Sequence, residues 1–257
     1  MALNSVSNKA KIGNNVTIGD FAVIKDDVVI GNNVKIGSNV LIDDGARISD
    51  NVTMHHGAVI STIPQDLKFK GEITTLELGE NTVVREYATL NRGTAAGGKT
   101  VVGKNCLLMA YSHVAHDCAV GDNVIIANCG TLGGHVEVGD WAIVGGLVAV
   151  HQFVKIGAHA LLAGFTKAVK DVPPYIIAGS NPMKYEGLNV IGLKRRGFND
   201  EQIDSIKEFY KLLYKSGLNI SDAVKQITKE FTKTKETDEI LDFISRSTRG
   251  ILTDKEK

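Results

Sequence analysis

Ile12-Gly13-Asn14-Asn15-Val16-Thr17-Ile18-Gly19-Asp20-Phe21-Ala22-Val23-Ile24 repeats its own pattern after six residues, and Ile30-Gly31-Asn32-Asn33-Val34-Lys35-Ile36-Gly37 repeats it again. The aliphatic phase continues through Ile42, Ile48, Met54 and Ile60, resumes at Leu78, Val84 and Leu90, and runs from Val102 through Leu108, Val114, Val120, Ile126, Leu132, Val138, Val144, Val150 and Ile156 to Leu162. Four residues after each aliphatic position stands a small or β-branched one, such as Ala22, Val28, Val34, Val40, Ala46, Val52 or Ala58. A period of six fits neither an amphipathic helix nor a plain alternating strand. It fits a short strand followed by a tight turn. The aliphatic and the small residue point inward, and the Gly/Asn-rich turn supplies the backbone conformations that a sharp corner needs. Three such units close a triangular coil of about 18 residues, and coils stack by parallel hydrogen bonding at about 4.8 Å per step. The chain is therefore expected to be mainly β, a parallel β-helix of hexapeptide repeats over 1–174 with roughly nine or ten coils.

Two stretches interrupt the period, Ser61–Glu72 and Gly93–Lys99. Inserts in a solenoid become surface loops, and such loops often carry function. Gln65, Asp66, Lys68 and Phe69 give the first insert the character of a binding loop. Beyond Val172-Pro173-Pro174 the pattern turns helical, so 175–257 is expected to form an α-helical C-terminal domain. Asn199 and Gln202 read as a capping box, followed by Ile203, Ile206, Phe209, Tyr210, Leu213 and Tyr214 at helical spacing and by Gly217 as a stop. Ser221 is expected to cap a second helix reaching Phe231, and Thr237 a third reaching about Arg246. These helices should cover one exposed end of the solenoid.

Composition narrows the function classes. The 257 residues carry 29 Lys+Arg against 29 Asp+Glu, so no global field exists to hold nucleic acid or an anionic membrane. Met1–Lys9 contains no apolar core of a signal peptide, and no apolar run is long enough to span a bilayer. Cys106, Cys118 and Cys129 form neither a disulfide framework nor a CxxC metal motif. Cys106 and Cys118 fall in the small inward phase and read as core. A reducing cytoplasm is the expected compartment.

The chemistry must come from side chains placed on the scaffold. Counted from His116, one and two coils of 18 residues reach positions 134 and 152, and His135 and His151 each lie one residue from those points, which puts the three near one another on consecutive coils along one edge, with His113 in the same turn region as His116. Three readings compete. The imidazoles could face solvent as polar turn residues. They could hold zinc with an open fourth position, as in a hydratase. Or one could act as general base while the others bind substrate. Asp117 could hold the imidazolium if the turn brings it round, because along a plain strand it would point away. Lys194-Arg195-Arg196 reads either as a solvated cluster or as a phosphate grip.

In order along the chain, Pro64-Gln-Asp-Leu-Lys68, Asn91-Arg-Gly-Thr94, His113-Val-Ala-His-Asp-Cys118, Gly133-Gly-His135, Val150-His-Gln-Phe153, Asp171-Val-Pro-Pro-Tyr175, Gly192-Leu-Lys-Arg-Arg-Gly-Phe198 and Ser247-Thr-Arg-Gly250 closely resemble the UDP-N-acetylglucosamine O-acyltransferase family. The resemblance covers essentially the whole chain. It implies a left-handed solenoid, and transfer of an (R)-3-hydroxyacyl group from acyl carrier protein to the 3-hydroxyl of UDP-N-acetylglucosamine, the first step of lipid A biosynthesis. It implies His116 as general base, Asp117 as its orienting partner and the Gly134 N–H as oxyanion donor. His113, Asp66 and Lys68 match residues that position the sugar. Gln65, His135, His151, Gln152, Asn189 and Arg195, with Arg196 beside it, match the nucleotide and sugar site. Gly164 matches a position that limits acyl length, where glycine would leave the groove open. The resemblance further implies a homotrimer with sites between adjacent solenoids. It implies no metal or cofactor other than the carrier-protein thioester as co-substrate, and no stable membrane insertion or nucleic-acid partner. Lys167, Lys170 and residues 194–196 are candidate docking cations for the acidic carrier. Pro182 and Ile191 stand where some members carry His and Glu. The N-acyltransferase later in the same pathway has an extra N-terminal domain, whereas here the hexapeptides begin near residue 12. A non-catalytic scaffold would have no reason to file His116, His135 and His151 together.

Overall fold

A computed structural model describes residues 3–254. Strands of mostly two residues form three sheets, of nine, eight and ten strands, parallel throughout except for the last strand of the third, that wrap one solenoid. The register is strict. In the first sheet Leu90 faces Val114, Val114 faces Leu132 and Leu132 faces Val150. In the second, Val102, Val120, Val138 and Ile156 stack likewise. The aliphatic phase of the repeat is thus a set of buried ladders, with Ile60, Leu76, Leu90, Leu108 and Leu132 fully enclosed. Each such side chain contributes about 1.5–3 kcal/mol by leaving water.

The Gly- and Asn-rich corners divide two tasks between residue types. At many corners the left-handed residue is an asparagine, with Asn15, Asn33, Asn51, Asn81, Asn105 and Asn123 at φ 55–60°, and at others a larger side chain such as Phe21, Tyr87 or Trp141 takes the same conformation. The glycine after each aliphatic residue answers crowding instead. A Cβ on Gly13 would stand 2.5 Å from Gly31 O, and one on Gly79 would stand 2.5 Å from Gly103 O. Asx side chains then tie coil to coil. Asn32 Oδ1 accepts from Asn14 N at 2.9 Å, Asp50 Oδ1 from Asn32 N at 2.7 Å and Asp140 Oδ1 from Asp122 N at 2.8 Å.

Past Pro174 the third sheet gains Ile176–Gly179 in parallel, and Lys184–Leu188 folds back on it antiparallel. Four helices follow: α1 (Val190–Arg195), α2 (Asp200–Lys215), α3 (Ile220–Glu230) and α4 (Lys235–Ser245). The Asn199/Gln202 capping box and all six apolar positions of α2 are as expected. Two caps differ. Asn219, not Ser221, caps α3 by accepting from Asp222 N, and Thr234, not Thr237, caps α4. Ser221 and Thr237 lie inside the first turns, where Thr237 completes a capping box with Thr234. The short α1 was not expected. The helices close the C-terminal end of the solenoid. Tyr210 OH donates to Pro174 O at 2.7 Å, Tyr175 OH donates to Glu239, and Asp171 accepts from Ser247 Oγ at 2.6 Å and pairs through its backbone with Gly250 and Leu252. At the other end the first two strands, Ser5–Val6 and Lys11–Ile12, lie exposed. No helix among the described residues is long and apolar enough to cross a membrane.

Candidate active site

The corner between the first and second sheets gathers most of the residues singled out by sequence. Both inserts leave the solenoid there. Residues 63–74 connect Val59–Thr62 to Thr75–Leu78, and residues 92–98 connect Thr89–Asn91 to Lys99–Val102. The next coil carries His116 and Asp117 at the same corner, followed by Gly134 and His135, then by Gln152 and Phe153. His116, Gly134 and Gln152 occupy one place on successive coils. Asp117, His135 and Phe153 occupy the next, each in the left-handed region at φ 58°, 60° and 66°.

The expected histidine file is therefore one corner but three different places on it. His116 and His135 come together, with ring centroids 5.2 Å apart at 90°. His135 in turn stacks on Phe153 at 4.5 Å and 6°. His151 stands one place earlier and exposed, its ring Nδ1 3.1 Å from Gln152 O. His113 lies on the adjoining strand, half-buried, with Nδ1 2.7 Å from Thr89 Oγ1. Its pKa is lowered from 6.5, chiefly because burial disfavours the imidazolium.

The left-handed turn settles the orientation of Asp117. Its Oδ2 lies 2.8 Å from His116 Nδ1. An ionised carboxylate only accepts, so the neutral form of the His116 ring is the tautomer with its proton on Nδ1 and its lone pair on Nε2. The Asp117 side chain is only 2% exposed, and burial alone would raise its pKa. The hydrogen bonds from Thr94 and His116 and the nearby His135 outweigh that and hold the carboxyl below its usual 3.8. The ring of His116 lies against Gly134, where a Cβ would stand 2.6 Å from Cε1 and 2.7 Å from Nε2. Gly134 is buried, and among the described residues its N–H has no hydrogen-bond partner, which leaves that donor unspent beside the His116 ring. Ligand atoms of His116, Asp117 and His135 also lie within 4.8 Å of one another, close enough to reach one cation. Asp117 already accepts from three donors there, which leaves a cation to compete with them.

In the first insert, Gln65 and Lys68 are exposed and Asp66 folds the loop by accepting from Lys68 N at 3.0 Å. The remaining candidates lie elsewhere. Asn189 is buried, caps α1 and donates to His159 O at 3.0 Å. Arg196 lies over Trp141, 5.4 Å from its centroid, at the corner between the second and third sheets, and Arg195 is exposed beside it. Gly164 belongs to the third corner, between Leu161–Leu162 and Lys167–Ala168. One chain thus distributes these residues over three edges. Cys106 and Cys118 are core, and burial pushes their thiols to about 11 and about 12. Thr94 and Phe153 were not anticipated. Both stand in stretches that carry the family resemblance, Asn91–Thr94 and Val150–Phe153, but neither was given a role; the further signals were the place of Phe153 one coil above His135 and the insert that contains Thr94.

Comparison with known proteins completes the picture. A profile described as "Udp N-acetylglucosamine O-acyltransferase; Domain 2" matches residues 171–252, and the bacterial transferase hexapeptide profile matches 9–44 and 99–134. The acyl-[acyl-carrier-protein]--UDP-N-acetylglucosamine O-acyltransferase of Trichlorobacter lovleyi is 54% identical over 250 residues, 96% of each chain. That of Chlorobaculum parvum is 53% identical over 246 residues, 95% of this chain and 93% of its own. The crystal structure of the Bacteroides fragilis UDP-N-acetylglucosamine acyltransferase superposes with a TM-score of 0.94 at 46% identity, covering 97% of this chain and 98% of the other. Fold and matches together define an acyltransferase built on a left-handed parallel β-helix of hexapeptide repeats. Within that class, the chain belongs to the UDP-N-acetylglucosamine O-acyltransferase family.

Proposed function

We propose that the chain transfers an (R)-3-hydroxyacyl group from acyl carrier protein to the glucosamine 3-hydroxyl of UDP-N-acetylglucosamine, opening lipid A biosynthesis in the cytoplasm. The observation that carries this reading is the His116–Asp117 pair at 2.8 Å, with its ring against Gly134, whose N–H has no partner among the described residues. The bare Nε2 of His116 takes the hydroxyl proton as the sugar oxygen attacks the thioester carbonyl. The C–O bond forms, and the carbonyl oxygen becomes an oxyanion that the Gly134 N–H receives. The tetrahedral centre then collapses with loss of the carrier's thiolate, and the His116 imidazolium returns its proton to that sulfur. Asp117 keeps the imidazole in the required tautomer and stabilises its charged form.

Asp66, Lys68, His113 and Gln65 position the sugar. His135, His151, Gln152, Asn189, Arg195 and Arg196 hold the nucleotide. The working unit in this reading is a homotrimer, because Asn189 and Arg196 lie on a different edge from His116 and meet it only across a neighbouring copy. Lys167, Lys170 and Lys194 with its two arginines offer the basic surface for the acidic carrier protein. Gly164 leaves the acyl groove open, so long acyl chains are the preferred donors.

The test is product analysis by mass spectrometry with UDP-N-acetylglucosamine and a panel of 3-hydroxyacyl carrier proteins. Acylated nucleotide is expected from the parent and 10²–10⁴-fold less from His116→Ala, the range for removal of a general base. An active His116→Ala would refute the base assignment. Maximal activity with a short donor would refute the role of Gly164. A monomer by light scattering under assay conditions would refute the shared site.

A further inference from the structure

The second insert reads in sequence as a surface loop of small residues, yet the structure folds it around a buried carboxylate. Asp117 Oδ2 has two imidazoles within reach, His116 Nδ1 at 2.8 Å and His135 Nε2 at 3.6 Å. A modest rotation of the carboxylate would exchange one for the other. We propose that Thr94 is the positioning residue that commits Asp117 to His116 rather than His135, an inference that rests on the acyl-transfer reading given above.

Thr94 holds both carboxylate oxygens. Its backbone N–H donates to Asp117 Oδ1 at 2.9 Å and its hydroxyl donates to Oδ2 at 2.6 Å. The direction of the hydroxyl proton is fixed, because Thr94 Oγ1 also accepts from Ala96 N at 3.2 Å and Asp117, when ionised, can only accept. Two bonds to two oxygens fix the plane of the carboxylate as well as its position. The rest of the insert holds Thr94 still. It is 7% exposed, its carbonyl accepts from Gly98 N at 2.7 Å, and Gly93 N donates to Thr75 O at 3.1 Å. Gly97 packs beneath the carboxylate so closely that a Cβ would stand 2.5 Å from Asp117 Oδ1. From the far flank Thr100 Oγ1 accepts Asp117 N at 2.8 Å. The seven-residue interruption is thus a clasp closed on one acidic side chain. Thr94 reaches no substrate. It acts through Asp117, whose committed oxygen selects the tautomer of His116.

The experiment compares Thr94→Val, which keeps the N–H and the shape but loses the hydroxyl, with Thr94→Ser, which keeps the hydroxyl. With ¹⁵N-labelled histidine, the parent is expected to show His116 as the Nδ1–H tautomer. In Thr94→Val that signature gives way to a mixture, and the His135 signals shift as it gains the carboxylate. The kcat falls by about 10²-fold, the cost of a catalytic group displaced by about an ångström, while KM for both substrates stays within about twofold. Thr94→Ser restores both the spectrum and kcat. The inference is overturned if the parent carries its His116 proton on Nε2, a measurement that needs no variant to fold. It is also overturned if Thr94→Val keeps the parental spectrum, whatever its rate, or if Ser fails to rescue. The spectra do not depend on turnover. An active His116→Ala alongside a shifted Thr94→Val spectrum would sink the acyl-transfer mechanism and leave the clasp standing.

Discussion

Gly134 is where a single hydrogen atom in place of a methyl group decides the site. The imidazole of His116 occupies the space that a Cβ would take, at 2.6–2.7 Å. Gly134→Ala is therefore expected to leave the coil folded and to displace the ring, lowering kcat by about 10²-fold. Steady-state kinetics with a thermal melt checks this, and an active, stable variant would show that the ring has room to move. The glycine was legible in sequence only through resemblance, since its neighbour in space is eighteen residues away. His116 and His135 were legible from the coil length, because eighteen-residue arithmetic needs no side-chain geometry. The His116–Asp117 contact was not, since strand alternation sends adjacent residues to opposite faces. It takes the left-handed φ of 58° at Asp117 to bring the two together. Thr94 stood in a stretch that carries the resemblance, but its bond to Asp117 could not be read, being 23 residues from its partner across an aperiodic insert.

Among the elements, the helix caps show what local chemistry can and cannot specify. Any Ser or Thr in a first turn looks like a cap until the preceding φ and ψ are known. Asn219→Ala should cost about 1 kcal/mol of stability and Ser221→Ala only a few tenths, a difference that urea denaturation resolves. Equal losses would return the cap to Ser221. The aromatic stack at the corner between the second and third sheets makes a second prediction. His159 lies parallel to Trp141 and Tyr175 and in an edge contact with Phe198. Burial, followed by the charges of Arg196 and Lys235, lowers its pKa from 6.5 to about 4. The unfolded chain then binds a proton between those values that the folded chain refuses, so stability falls as the pH drops from 6.5 toward 4. Replacing His159 by Phe, a residue that Phe153 and Phe165 show to be compatible with this corner conformation, should flatten that part of the stability curve. Denaturation midpoints measured across the window check it, and an unchanged slope would remove His159 as its source. The hexapeptide phase was plain in sequence because every coil repeats the same burial. The six-residue α1 was hidden because its pattern is too short to show a period.

The whole molecule is a stack with unlike ends. Helices and the 247–252 segment seal the C-terminal end, while Leu3, Val6 and Ile12 of the first coil stay exposed. In such a stack each coil is held by its neighbours, so local stability should rise away from the bare end. Hydrogen exchange is expected to be fastest in residues 5–18 and slowest in the coils around Leu132 to Ile156, and a uniform rate along the solenoid would contradict this. The site sits at the corner that follows the sixth strand of the first sheet, well inside the protected part. A stack that is blocked at one end and bare at the other behaves as a polymer with a growing tip. A duplicated coil fused ahead of Ser5 would extend all three sheets and lengthen the molecule by about 4.8 Å, leaving the catalytic corner undisturbed. Length and chemistry are thus separately adjustable in this protein, as a handle can be lengthened without reshaping the blade.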